Sequence, residues 1–275
     1  MPYARAQYYL LAVIGVILVG FWPTYFSVLG TVPWQFHAHG LASSAWIIVV
    51  TTQCWTATTR RLPLHRLIGK VSLLLFPILT AGLAAIVDAT AKGYVAGDDS
   101  FRVVYGGSLL MIVMVAMAAY VTLYYRALKF RRSVWVHAGY LLSTPLILFE
   151  SAFHRVMLWY VPGLLAASGP DGEMLLPGIS IAMSVELVII AVIWAKFRDR
   201  AKPFLVAAVF IVAQMLAMTL LKNSILATWM LRLIGHLPSA IVMATGFTIG
   251  ALTSLAGWND GKRPALSASR NAQPA

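Results

Sequence analysis

Eight times along this chain an apolar run of about 20 residues ends in a short polar break. A helix of that length spans the hydrocarbon core of a bilayer, roughly 30 Å. The runs fall at about 7–29, 36–58, 67–91, 103–125, 135–158, 178–197, 203–222 and 236–257. They consume nearly all of the 275 residues and leave no length for a separate soluble domain. Hydrophobic residues make up 60% of the chain and charged residues 11%, against about 25% charged in soluble domains. The expected fold is therefore all-α: a polytopic transmembrane helical bundle over 1–258, followed by a disordered cytoplasmic tail over 259–275, rich in Ser, Ala and Pro. Asn223 to Gly235 reads as an interfacial helix or as part of a longer bent element.

The net charge of +12 raises the question of a nucleic-acid partner. The distribution argues for topology instead. Short basic blocks sit between the apolar runs: Arg60-Arg61, Arg66 and Lys70; Arg126, Lys129, Arg131 and Arg132; Lys196, Arg198, Arg200 and Lys202. With Arg5, Lys262, Arg263 and Arg270 they place 16 of the 21 basic residues on one side, leaving Lys92, Arg102, Arg155, Lys222 and Arg232 on the other. Such bias marks the cytoplasmic face. Both termini are expected there, with the basic loops resting on anionic lipid headgroups. The loops on the opposite side carry acid and glycine, as in Gly97-Asp98-Asp99 and 169–173. Cys54 is the lone cysteine, which excludes an internal disulfide and any CxxC redox or zinc motif. The first run lacks a cleavage site and reads as a retained span.

Against this apolar background the ionisable residues inside the runs stand out, because a charge in hydrocarbon must pair, reach water or bind something. Glu150 and His154 are four apart in the fifth run, on one helix face. Glu186 lies at a matching depth in the sixth, roughly 12 Å from the outer end at 1.5 Å per residue. His39, Asp88 and His236 fall nearer the outer surface. His37 and His39, two apart, point to nearly opposite sides of a helix, and Ser43 and Trp46 extend the His39 face. Arg155 reads as an interfacial anchor, or as the counter-charge of Glu150 or Asp88. At the inner side, His65 and His137 are candidate ligands of a second, inner haem. His137 and His154 would then serve two haems from one helix, 17 residues apart, about 25 Å in length and 100° in rotation. A short echo, His37-Ala-His-Gly-Leu-Ala-Ser-Ser44 against His137-Ala-Gly-Tyr-Leu-Leu-Ser-Thr144, suggests an inverted repeat of the kind that builds transporters.

Phe36-His-Ala-His-Gly40 followed by Leu64-His-Arg-Leu-Ile-Gly69 resembles a group of uncharacterised bacterial multi-span membrane proteins with H-x-H and L-H-R-x-x-G motifs. The H-R-x-x-G element is also similar to bacterial cytochrome b561-like and ferric-reductase-like haem proteins. The resemblance covers about 35 of the 275 residues. It implies a protein of the bacterial inner membrane, with haem b as a candidate cofactor.

Three functions are expected of such a chain. The first is a haem- or transition-metal-binding redox protein, with His39 and His154 as outer ligands, His37 and His236 as further candidates, and Glu150, Glu186 and Asp88 tuning the site or relaying protons. The second is a proton-coupled small-molecule transporter that works through Glu150 and Glu186. The third is a membrane interaction or assembly protein in which Glu150 and His154 only lock helices together.

Overall fold

The computed structural model describes residues 2–97, 99–167 and 172–262. Asp98, the loop residues 168–171 and the tail 263–275 lie outside the described residues. Within them the chain is helical, with no strand. Helices run α1 Ala6–Phe21, α2 Trp34–Thr58, α3 Leu62–Ala96, α4 Ser100–Lys129, α5 Val134–Ser143, α6 Phe149–Tyr160, α7 Leu164–Ala167, α8 Leu175–Phe197, α9 Lys202–Leu220, α10 Ile225–His236 and α11 Ser239–Asp260.

Local chemistry sets several of these boundaries. Asp99 caps α4 by accepting from the Arg102 amide at 3.3 Å, and Ser224 caps α10 by accepting from Ala227 at 3.1 Å. Pro63 and Pro203 sit in the first turns of α3 and α9, where a missing N–H costs no helical bond. Gly97 ends α3 in the left-handed region, at a φ of 71°.

Among the described residues, five helical stretches are long and apolar enough to cross a membrane: Leu62–Ala96, Ser100–Lys129, Val134–Tyr160, Leu175–Leu220 and Ser239–Asp260. The fourth holds two helices, α8 and α9, joined by the 3₁₀ turn Arg198–Ala201. α1 has 16 residues, about 24 Å at 1.5 Å each, and a 3₁₀ segment over Phe26–Thr31 follows it. The Asn223–Gly235 segment forms the separate helix α10, and the last long helix begins after it at Ser239 and runs to Asp260.

α3 is the hub. It packs against α2, α4, α10 and α11, and its run of small residues, Thr80-Ala-Gly-Leu-Ala-Ala85, is buried throughout. Apolar burial drives little helix association in lipid, so close backbone approach through small residues takes its place. Gly246 and Gly250 of α11 lie directly on α3: a Cβ at Gly250 would come within 2.6 Å of the Pro77 Cα. Gly82 receives α2 in the same way: a Cβ there would come within 3.1 Å of the His39 Cα. Beside the hub, Trp46, Phe76 and Tyr124 form a buried aromatic core, with Phe76 stacked on Tyr124 at 4.2 Å. Large apolar side chains such as Leu74, Val188, Val209 and Leu220 point outward, each at least 62% exposed, as a lipid-facing surface requires.

α6 lies between α1 and α8. Gly20 of α1 seats against the Ala152 carbonyl of α6, and a Cβ at Gly178 of α8 would lie 3.9 Å from the His154 Cβ. These approaches bring four helices around the residues described next.

Candidate functional site: a buried carboxylate cluster at a broken helix

The stretch Val134–Tyr160 is discontinuous. α5 ends at Ser143, a 3₁₀ segment covers Thr144–Leu148, and α6 starts at Phe149. Pro145 accounts for the break, since it has no N–H and its ring clashes with the preceding turn. Trp46 of α2 pins the broken segment by donating its indole N–H to Thr144 Oγ1 at 2.9 Å. Glu150 therefore sits in the first turn of a half-helix, at its positive end.

Glu150, His154 and Glu186 are all buried. The His154 Nδ1–H donates to the Glu150 backbone carbonyl at 3.0 Å. The Glu150 carboxylate is 3.7 Å away, an ion-pair distance but too long for a hydrogen bond. Glu186 reaches in from α8 and lies against Glu150 and near Tyr120 of α4. Neither of its carboxylate oxygens makes a full hydrogen bond among the described residues, although the Glu150 backbone N–H at the start of α6 is near enough to act on it, and the Tyr120 hydroxyl is equally buried and unpaired.

Arg155 completes the cluster. Its Nη1 donates to the Ser151 carbonyl and, at 3.0 Å, to Ser151 Oγ. Its guanidinium carbon lies 4.5 Å from the centre of the Phe21 ring of α1. Glu150 and His39 are both within its electrostatic reach. His39 has its Nδ1 3.4 Å from Ser43 Oγ, on the face that the sequence assigns to it. His37 turns the other way and shares a 2.9 Å hydrogen bond with Tyr25 in the connection from α1. The site thus joins Glu150, His154, Arg155, Glu186, Tyr120 and His39, from four helices. His37 and His236 stand apart from it: His236 is exposed at the end of α10, beside a cleft shared with Trp229 and Arg232.

Asp88 belongs to a second cluster. It is fully buried on α3, pairs with Lys92 at 2.8 Å, and accepts from Ser239 of α11 at 2.8 Å and from Gln35 of α2 at 3.3 Å. Lys92 also contacts the Ser239 hydroxyl. This network ties three helices together, a reason for burial that needs no ligand.

His65 and His137 do come together. They line one cavity of about 80 Å³ with Tyr3, Gln53, Cys54 and Thr58. The His137 Nδ1–H donates to the Ala127 carbonyl at 2.7 Å, and His65 Nδ1 lies 3.3 Å from the Gln53 carbonyl. Ligand clefts measure roughly 300–1,000 Å³, so this space does not accommodate a haem macrocycle. Among the described residues no group of three His, Cys, Asp or Glu side chains is arranged to hold a metal ion.

Sequence reasoning missed Tyr120 and Phe21 at the first cluster and Gln35 and Ser239 at the second. Each lies in an apolar stretch or a helix start with no local pattern to mark it, and only the tertiary packing brings it in. Arg155 carried a signal, an arginine next to His154 in an apolar run, and it lies within electrostatic reach of Glu150. No protein-family model matches the chain, and no curated protein or solved structure is significantly similar to it.

Proposed function

We propose that this chain is a proton-coupled transporter of the bacterial inner membrane, crossing it eight times, with Glu150 and Glu186 sharing and passing the coupled proton. One observation carries the reading: Glu186 is buried in a membrane-protein-like bundle, neither of its oxygens makes a full hydrogen bond among the described residues, and it is close to a second carboxylate. Two carboxyl groups at one site do not both stay ionised, so a proton is held there and can move between them. The helix break beside Glu150 favours transport in particular. Discontinuous helices line substrate and ion sites near the bilayer midplane, where half-helix ends supply polar groups. A rocking motion about the 3₁₀ segment would move α6, and with it Glu150, relative to Glu186 on α8.

The topology has its own support. Tyr3 donates to the Arg200 carbonyl, His137 to the Ala127 carbonyl and Arg131 to the Trp258 carbonyl. His65, at the start of α3, lines one cavity with Tyr3 and His137, so the amino end, three basic connections and the end of α11 gather at one end of the bundle, which supports an even number of crossings. That end holds the basic blocks and is assigned to the cytoplasm and its anionic lipid headgroups.

The test is proton movement in proteoliposomes loaded with a pH-sensitive dye. Addition of the transported solute outside should acidify the lumen with wild-type protein, and Glu186→Gln should abolish the signal while solute exchange persists. Proton uptake that survives both Glu150→Gln and Glu186→Gln would exclude this mechanism. The redox reading has its own check. A purified protein without a Soret band or stoichiometric metal leaves the transporter reading in place, whereas a Soret band with one or two irons per chain would replace it.

A further inference from the structure

The arginine at the carboxylate cluster has a geometry that a simple counter-ion does not need. An arginine serving only to neutralise Glu150 would turn its planar fork onto that carboxylate, where two parallel hydrogen bonds are available. Arg155 does not. Its Nη1 is anchored to Ser151, on the same helix one turn back, and one face of the plane is covered by Phe21. Glu150 is within electrostatic reach but makes no hydrogen bond to it among the described residues. The side chain keeps part of its surface accessible. The fork is held in place from behind at Nη1 and walled by an aromatic ring, and its Nε and Nη2 make no hydrogen bond among the described residues.

We propose that the unpaired edge of Arg155 binds the carboxylate of an organic anion, whose apolar body lies toward Phe21, and that this anion is the transported solute. The proposal rests on the transporter reading and specifies its substrate class. The groups facing the site are Glu150, His154 and Arg155 from α6, Glu186 from α8, Tyr120 from α4 and His39 from α2; from α1 comes the uncharged Phe21 ring. With the imidazoles and the phenol neutral, one ionised carboxylate balances Arg155. A second proton, on whichever of Glu150 and Glu186 is still ionised, leaves the site one positive charge in excess. An entering carboxylate restores neutrality. One anion is therefore taken up with one proton, and no net charge crosses the membrane. The apolar wall separates this from a phosphate site, because inorganic phosphate has no apolar body to place against it and is too strongly hydrated to shed water there.

The experiment is calorimetric titration of the purified full-length protein with sodium benzoate and, as isosteric neutral control, benzamide, at pH 5.5 and pH 7.5, with inorganic phosphate as a third probe. Benzoate should bind, benzamide should not, and benzoate should bind more tightly at pH 5.5. Arg155→Gln should weaken benzoate binding by about tenfold or more, the loss of a charge-assisted bidentate contact, and Arg155→Lys should restore only part of it. Equal binding of benzoate and benzamide by the wild type overturns the proposal and needs no variant to fold. So does phosphate binding more tightly than benzoate, or Arg155→Gln binding benzoate undiminished. The transporter reading fails separately: Arg155-dependent benzoate binding without dye-detected proton uptake would leave the anion site standing and remove the coupling.

Discussion

Asp88 and Glu186 are both carboxylates buried to within 1% in apolar helices, and their neighbours treat them in opposite ways. Asp88 meets an ammonium, a hydroxyl and an amide drawn from its own helix and two others. Glu186 meets a second carboxylate and an unpaired phenol, and the one donor turned toward it, the Glu150 backbone N–H at the start of α6, stops short of a full hydrogen bond. A buried charge that is fully partnered holds structure together, and removing one side of the pair is costly. A buried carboxyl without such partners adds little to stability, and in the proposed transporter it is the proton carrier.

Four substitutions break or sharpen that contrast, taken from the largest effect to the smallest. Asp88→Ala should cost about 3 kcal/mol in equilibrium unfolding in mixed micelles. That is the lower end of the range for breaking a buried pair, because Lys92 is 36% exposed and its ammonium reaches water once released. Gly250→Ala, in the same α3–α11 contact, should cost about 2 kcal/mol, since its methyl must displace the backbone at Pro77. Glu186→Leu should leave the fold intact and raise stability by about 1 kcal/mol, because it removes buried oxygens that make no hydrogen bond. A loss of 3 kcal/mol or more there would show that Glu186 is as structural as Asp88.

The smallest effect lies at the basic end, where the Tyr3 hydroxyl donates to the Arg200 carbonyl at 2.7 Å. Burial pushes this phenol up to about 12, with Arg200 pulling the other way. A folded value above the ordinary 10 means that the neutral form is favoured by folding. Its contribution is full below pH 10 and is lost as pH rises through about 12. Tyr3→Phe should therefore cost about 1 kcal/mol at neutral pH and flatten the alkaline loss of stability between pH 10 and 12, read by melting temperature against pH.

Much of the scaffold was legible because membrane helices declare themselves by length and hydropathy. The runs at 67–91 and 103–125 reappear inside α3 and α4, and the run at 135–158 inside the broken α5–α6 stretch. The α8–α9 pair is one apolar stretch by composition, yet Arg198, Arg200 and Lys202 marked the turn within it. The site was legible in part, for the same reason: Glu150, His154 and Glu186 were costly where they stood, and depth alone predicted that they would meet. Depth could not tell which outer residues share a side of the bundle. Asp88 lies at a comparable level but faces α2 and α11 with its own partners, and His236 lies exposed on α10. Rotation about each helix axis decides this, and it is set by glycine contacts such as Gly82 against α2 and Gly250 against α3. Those contacts join positions far apart in the chain and have no local sequence signature.

The central claim is that Glu186 holds a proton that it shares with Glu150 and gives up, and infrared difference spectroscopy across a pH step reads that proton directly. The account predicts a protonated-carboxyl C=O band in the wild type that loses intensity as pH rises, is absent in Glu186→Gln and is retained in Asp88→Asn. A band that persists unchanged in Glu186→Gln, or vanishes in Asp88→Asn instead, would contradict it.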